Sequence, residues 1–200
     1  VLIGPVFFLG IVVFPSMGQA IVNVETLRPD EDRGEELGWG GRLTLSQGGA
    51  LGNSETFKLA AESLTFYSGK DIFQFLVLDY SYGESFGVKN ENRMLAHFRT
   101  VKGFAHYESL YWEGFIQAQS DEFKRLKIRS LAGGGIRWQA LVKDHLSLTL
   151  GSGGFFSHEE LSAAMVSKPI DLTENTGRLN TYMSYSQKLV DSVSGAMTIY

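Results

Sequence analysis

With 200 residues, the chain is long enough for one domain with a real interior and short for two. Its 18 basic and 22 acidic residues are scattered without a block of like charge, which argues against nucleic acid or an acidic polymer as partner. Cysteine is absent, which excludes disulfides, thiolate catalysis and cysteine metal sites, and four scattered histidines do not restore a metal case.

The first segment, VLIGPVFFLGIVVFPSMGQA, is apolar and ends with Gly18 and Ala20 placed as the small residues that a secretory cleavage site needs. Residues 1–20 are therefore expected to be a signal peptide, and its missing basic n-region and initiating methionine imply that the chain starts partway through the natural product. A membrane anchor is the competing reading, against which Pro5, Gly10 and Pro15 interrupt a stretch barely long enough to span. Residues 21–37, charged from Arg28 to Glu36, read as a polar leader, and 38–200 as the folded domain.

From there the chain alternates. Leu43 and Leu45 alternate with Arg42, Thr44 and Ser46; Leu76, Leu78, Tyr80 and Tyr82 with Val77, Asp79 and Ser81; Leu146, Leu148 and Leu150 with Ser147 and Thr149. Similar runs at Phe57 to Phe66, Met94 to Phe104, Tyr107 to Phe123, Ile128 to Trp138, Arg178 to Ser186 and Val193 to Ile199 bring the total to about nine strands. ETFKLAAESL and HEELSAAMV also carry helical spacing and are the two places where a helix competes. GGALGNS, GESFGVKNEN, QSDEFKRLK and the segment from Ser157 to Asn175 read as long links that take turns with the short SGKD, KGFAH, VKDH and LVDS. A transmembrane β-barrel has this asymmetry, with short periplasmic turns at one end and longer external loops at the other.

Face polarity points the same way. Between Ser109 and Phe123 one parity carries Leu110, Trp112, Gly114, Ile116 and Ala118, and the other Tyr111, Glu113, Phe115, Gln117, Gln119 and Asp121. The polar parity, continued by His97, Arg99, Arg129 and Arg137, lacks the lysine-rich composition of a solvated surface and reads as a network. Phe66, Tyr67, Tyr80, Tyr82, Phe104, Tyr107, Trp138, Phe155 and Phe156 gather near strand ends, where amphipathic rings would meet lipid headgroups. Ordinary β-propensity and a soluble lipocalin-like barrel are the bland alternatives.

The block WEGFIQAQSDEFKRLKIRSLAGGGIRW, the NENRMLAHFR segment before it, GWGGRLTLSQGGALGNSETF near the start and GRLNTYMSYSQKLVDSVSG near the end resemble an outer-membrane family of unknown function. Its members are often labelled salt-induced outer-membrane proteins. The resemblance implies an outer-membrane β-barrel in a Gram-negative envelope, with lipid as its surroundings. It brings no substrate, cofactor or catalytic residue. Bacterial single-chain barrels have an even strand count, and members of the family continue past a segment like AMTIY, so the nine strands are expected to belong to a barrel of about 10–12, cut short at the C-terminus.

On this reading the apolar parity faces lipid and the polar parity the lumen, where charges need partners. The expected network joins Glu113 and Asp121 to Arg99, Arg125, Arg129 and Arg137, with Gln117 on the same face. It either fills and rigidifies the barrel or forms a narrow constriction for small ions or solutes. External loops, GESFGVKNEN and the segment from Ser157 to Asn175 above all, would serve a receptor instead. No cofactor and no catalysis are expected: His145 is next to Asp144 and near Ser147, but strand neighbours point to opposite faces. The stretches AGGG at 132–135 and GSGG at 151–154 lack the helix and lysine of a phosphate loop and are expected to serve bulges, curvature or close packing.

Overall fold

A computed structural model describes residues 37–143, 146–162, 172–190 and 193–199. The expected signal peptide, and all of the leader except Leu37, lie outside the described residues. The strands are β1 (Gly38–Ala50), β2 (Thr56–Ser68), β3 (Ile72–Ser85), β4 (Val88–Phe104), β5 (Tyr107–Asp121), β6 (Leu126–Lys143), β7 (Leu146–Leu161), β8 (Thr173–Val190) and β9 (Val193–Ile199). They form one antiparallel sheet in chain order, with no pairing of β1 to β9 among the described residues. Each run of period-two alternation corresponds to one of these strands.

The segment ETFKLAAESL, open to a helix by its spacing, lies in β2 apart from Glu55, laddered to β1 on one side and β3 on the other. Two full ladders satisfy every backbone group along it, which outweighs a local preference of a few tenths of a kcal/mol per residue. Of HEELSAAMV, His158 to Leu161 end β7, and the rest after Ser162 lies outside the described residues. The GESFGVKNEN loop is absent too: β3 and β4 continue as a hairpin closed by Phe86 at φ 49° and Gly87 at φ 72°. Positive φ at both central residues gives a turn whose twist matches the strands, so no longer connection is needed.

The links β1–β2, β3–β4 and β5–β6 and the facing ends of β7 and β8 lie at what we call the upper end, where backbone bonds join them in pairs. The Phe86 amide donates to Glu55 O at 2.9 Å, and the Ser162 amide donates to Arg125 O at 2.8 Å.

The sheet is strongly rolled. Tyr182 Oη on β8 donates to Glu113 Oε2 on β5 at 2.9 Å although β6 and β7 lie between them. In a flat sheet those strands would stand roughly 14 Å apart, beyond the combined reach of the two side chains. Rolling makes one face an interior, and its polarity is inverted. His97 (2 % exposed), Arg137 (4 %) and Glu113 (7 %) are buried there, whereas Leu45 (69 %), Ile116 (59 %) and Ile136 (54 %) are on the open outer face.

The interior is also apolar in part. Phe75 and Val77 pack with Leu64, Phe66 and Phe73. A row of rings runs Phe73, Phe75, His97, Phe115, Phe155 with centroid separations of 5.9, 5.9, 6.0 and 6.2 Å. Phe66 and Phe155, expected among the rings at headgroup level, are part of this inner packing instead, because their register parity is that of Leu64 and Ser157. Trp39, Phe104, Tyr107, Trp112 and Trp138 do stand exposed toward the lower end.

The glycine stretches leave room for these rings without bulges: Gly133 to Gly135 pair in unbroken register with Gly153 to Phe155. A Cβ at Gly133 would meet the Phe155 Cβ at 2.5 Å and the Phe115 ring at 2.9 Å, and one at Gly151 would enter the Tyr182 ring. Gly133→Val should therefore lower the free energy of unfolding by about 1–3 kcal/mol, as overpacked cores do, measured as a shifted urea midpoint in detergent.

Candidate functional site

The inner face carries one buried polar cluster that spans strands. Glu113 on β5 accepts from Arg99 Nη2 on β4 at 2.7 Å and, through the same Oε2, from Tyr182 Oη on β8 at 2.9 Å. Arg99 also stands over the Tyr182 ring, 5.9 Å from its centroid, so charge and ring support one another. Both members of the ion pair are about nine-tenths buried, with side-chain exposures of 10 % and 7 %. Arg137 is buried on the same face, its β6 position registered between Tyr111 on β5 and Gly151 on β7. Gly151 explains the reach of Tyr182: without a side chain beneath it, the ring lies over β7 and its hydroxyl extends toward β5.

One level above, His97 Nδ1 meets Gln117 Oε1 at 3.0 Å, and Gln117 Nε2 donates to Gln119 Oε1 at 2.8 Å. The imidazole is stacked between Phe75 and Phe115, with interplanar angles of 29° and 18°. Higher still, Arg129 Nε and Nη2 both approach Glu159 Oε2 at 2.8 Å.

The expected network is thus divided. Arg99 joins Glu113, and Gln117 joins His97, while Arg129 is bonded to its directly registered β7 partner Glu159, which the expected network did not include. Asp121 caps the β5–β6 turn, its Oδ1 accepting from the amides of Phe123 and Lys124 at 3.2 Å each, and Oδ2 lies 3.3 Å from Lys124 Nζ. Arg125 is in that turn at φ 59° and exposed, not on the buried inner face of a strand. The QSDEFKRLK link already held Arg125 in the sequence, and the structure shortens that link to Glu122 to Arg125. Sequence reasoning missed Tyr182 and Glu159; only their parity, shared with Ser184 and Ser157, hinted at an inner position.

Above the Arg129 and Glu159 pair the interior widens into a cavity of about 770 Å³. Its wall carries Arg42, Glu62, Asp79, Arg93, Asp121 and Lys124 around apolar groups that include Leu64, Val77 and Leu126. Acidic and basic groups alternate there, and among the described residues no cluster of His, Asp and Glu has the arrangement to hold a metal ion.

Next to Asp121 of that wall, Glu122 in the β5–β6 turn accepts from Lys89 Nζ at 2.7 Å and Asn92 Nδ2 at 2.8 Å. Lys89, with Asn92, holds the Glu122 carboxyl below the usual carboxylate range, and Glu122 raises the Lys89 ammonium.

An antiparallel β-meander rolled around a buried ion pair and a row of rings, with aliphatic side chains exposed on its outer face, is the class these features define. Residues 44–195 match the model of a family described as "Protein of unknown function, DUF481", and the chain belongs to that family. No curated protein and no solved structure matches it.

Two outcomes follow from the geometry. Glu113→Ala leaves Arg99 buried without its carboxylate and should cost about 3–5 kcal/mol in equilibrium unfolding, whereas Tyr182→Phe, losing one bond to a charged acceptor, should cost about 1.5–3 kcal/mol. The Lys89 and Glu122 clamp should persist at neutral pH. Its acidic half has a depressed folded pKa, so its contribution is present above the unfolded carboxylate range and lost as pH falls through the folded value. The Lys89 half, with a raised pKa, holds below the ordinary lysine range and is lost as pH rises through its folded value. Lys89→Met should raise the Glu122 carboxyl pKa toward the ordinary range, with the Asn92 bond still holding it below, followed by carboxyl carbon NMR.

Proposed function

We propose that this protein is an outer-membrane β-barrel whose interior is closed at mid-height by its own side chains, so that it serves as a structural element of the envelope rather than as an open channel. Support for the membrane reading comes from the inverted polarity: aliphatic side chains exposed on the outside, charged pairs buried within, the reverse of a soluble barrel. Trp39, Trp112 and Trp138 near the lower end fit an aromatic girdle at one interface. The resemblance of the sequence to outer-membrane proteins labelled salt-induced adds a link to osmotic stress.

The observation that carries the closed interior is the Glu113 carboxylate, held from β4 and from β8 at once. In a closed barrel, Arg99, Glu113 and Tyr182 bridging the lumen and Phe75, His97, Phe115 and Phe155 packed into it would block an aqueous path at that level. The cavity above it, lined by charges of both signs, favours a second reading as a selective pore for small ions or solutes with that cavity as its vestibule.

Expressed full length, the protein should partition with the outer membrane and migrate differently in gels when boiled and unboiled. Recovery as a soluble periplasmic protein would overturn the membrane reading. In planar bilayers the wild type should conduct little, and Glu113→Ala combined with Tyr182→Ala should open measurable conductance. Steady wild-type conductance with selectivity altered by Glu113→Gln or Arg129→Gln would establish the pore instead.

A further inference from the structure

Three polar side chains stand in a row on the outer face. The register pairs Ser130 on β6 with His158 on β7, and His158 with Asn175 on β8, so all three project to the same side from adjacent strands. His158 Nδ1 and Asn175 Oδ1 are 2.8 Å apart. A carboxamide oxygen only accepts, so Nδ1 carries the proton and Nε2 is the basic nitrogen. Ser130 is the registered partner of His158 on the opposite side from Asn175, so the ring stands between the two. Cross-strand partners have Cβ atoms about 4.5–5.5 Å apart, which brings the Ser130 hydroxyl within reach of Nε2 by side-chain rotation. Nucleophile, base and orienting amide thus follow one another across three strands, the arrangement that activates a serine.

The surroundings say which substrate class would fit. Ser130 and His158 line a groove of about 460 Å³ whose other walls include Leu76, Phe98, Ile116 and Phe156. Toward the upper end the outer face becomes charged: Glu160, two positions beyond His158, accepts from Lys127 Nζ at 2.6 Å. The row therefore stands where an apolar band meets a charged edge, the level at which an amphiphile holds its ester linkage, with its acyl chain on the apolar side.

We propose that Ser130, His158 and Asn175 form a hydrolytic site for acyl esters of amphiphiles, with the acyl chain in the outer groove. Ser130 Oγ attacks the ester carbonyl carbon while its proton passes to His158 Nε2. The carbon–oxygen bond to the alcohol then breaks, and the alcohol leaves with that proton. Water attacks the acyl-serine, giving one proton to His158, which returns it to Ser130 as the fatty acid departs. Asn175 is a positioning residue that fixes the imidazole tautomer. The substrate class rests on the outer face being in lipid; the order of the three side chains does not.

The test uses the full-length protein in detergent micelles, with a long-chain fluorophosphonate that bonds to an activated serine and loses fluoride. Peptide mass spectrometry should place the adduct on Ser130, and p-nitrophenyl palmitate should release p-nitrophenolate. His158→Ala should slow both by on the order of 100-fold or more. Asn175→Ala should slow them as well, and Asn175→Asp should restore the rate with its pH profile displaced upward, because a carboxylate favours the charged imidazole; a merely structural Asn175 would leave that profile unmoved. A protein with heat-modifiable migration that takes no label, or Ser130→Ala labelled as fast as the wild type, would overturn the proposal. Labelling of Ser130 in a protein without heat-modifiable migration would uphold the site and overturn the membrane reading.

Discussion

The buried carboxylate of Glu113 is the constraint on which the rolled sheet turns. An ionised carboxylate away from bulk water must be paired and hydrogen-bonded, and here the two donors come from strands on either side of it, β4 and β8. Meeting both demands fixes how far the sheet curls. The curl in turn requires a flat floor where Tyr182 crosses β7, and Gly151 provides it. Such a pair contributes less to net stability than its removal would cost, so its value lies in specifying one curvature among several that an antiparallel meander could adopt.

Curvature also explains the division of labour between the faces. The inner face combines ionic pairs with a continuous row of rings in which His97 is itself a member, stacked between Phe75 and Phe115 and held in plane by Gln117. Rings fill space between the ion pairs and exclude water, and the low local dielectric strengthens each pair. The outer face has the opposite chemistry, aliphatic through its middle and charged near the upper end. A single-layered sheet has no second layer to cover that outer face, which is why its polarity bears directly on function.

The two ends differ as well. At the upper end backbone bonds join the links in pairs, and the Lys89, Asn92 and Glu122 cluster joins the β3–β4 hairpin region to the β5–β6 turn beside the charged cavity. At the lower end exposed indole and phenol rings dominate. An axis thus runs from an aromatic end, past the Arg99, Glu113 and Tyr182 cluster, to a charged and cross-linked end, and the row of Ser130, His158 and Asn175 lies on the outer face near the level at which its apolar band ends.

What the sequence by itself determined is local. Period-two alternation located every one of the strands β1 to β9 and told which residues share a face, because side-chain direction in a strand depends on parity alone. Partnership was decided by tertiary structure. Arg129 and Asp121 had compatible signs and neighbouring strands, yet register put Glu159 opposite Arg129, and a turn took Asp121 as its cap. Tyr182 and Glu113 are 69 residues apart, and nothing local signals that they meet. Positive φ at Phe86 likewise emerged only with the hairpin that demands it. Parity is a property of the chain, whereas register and curl are settled by how all the strands satisfy their hydrogen bonds and buried charges together.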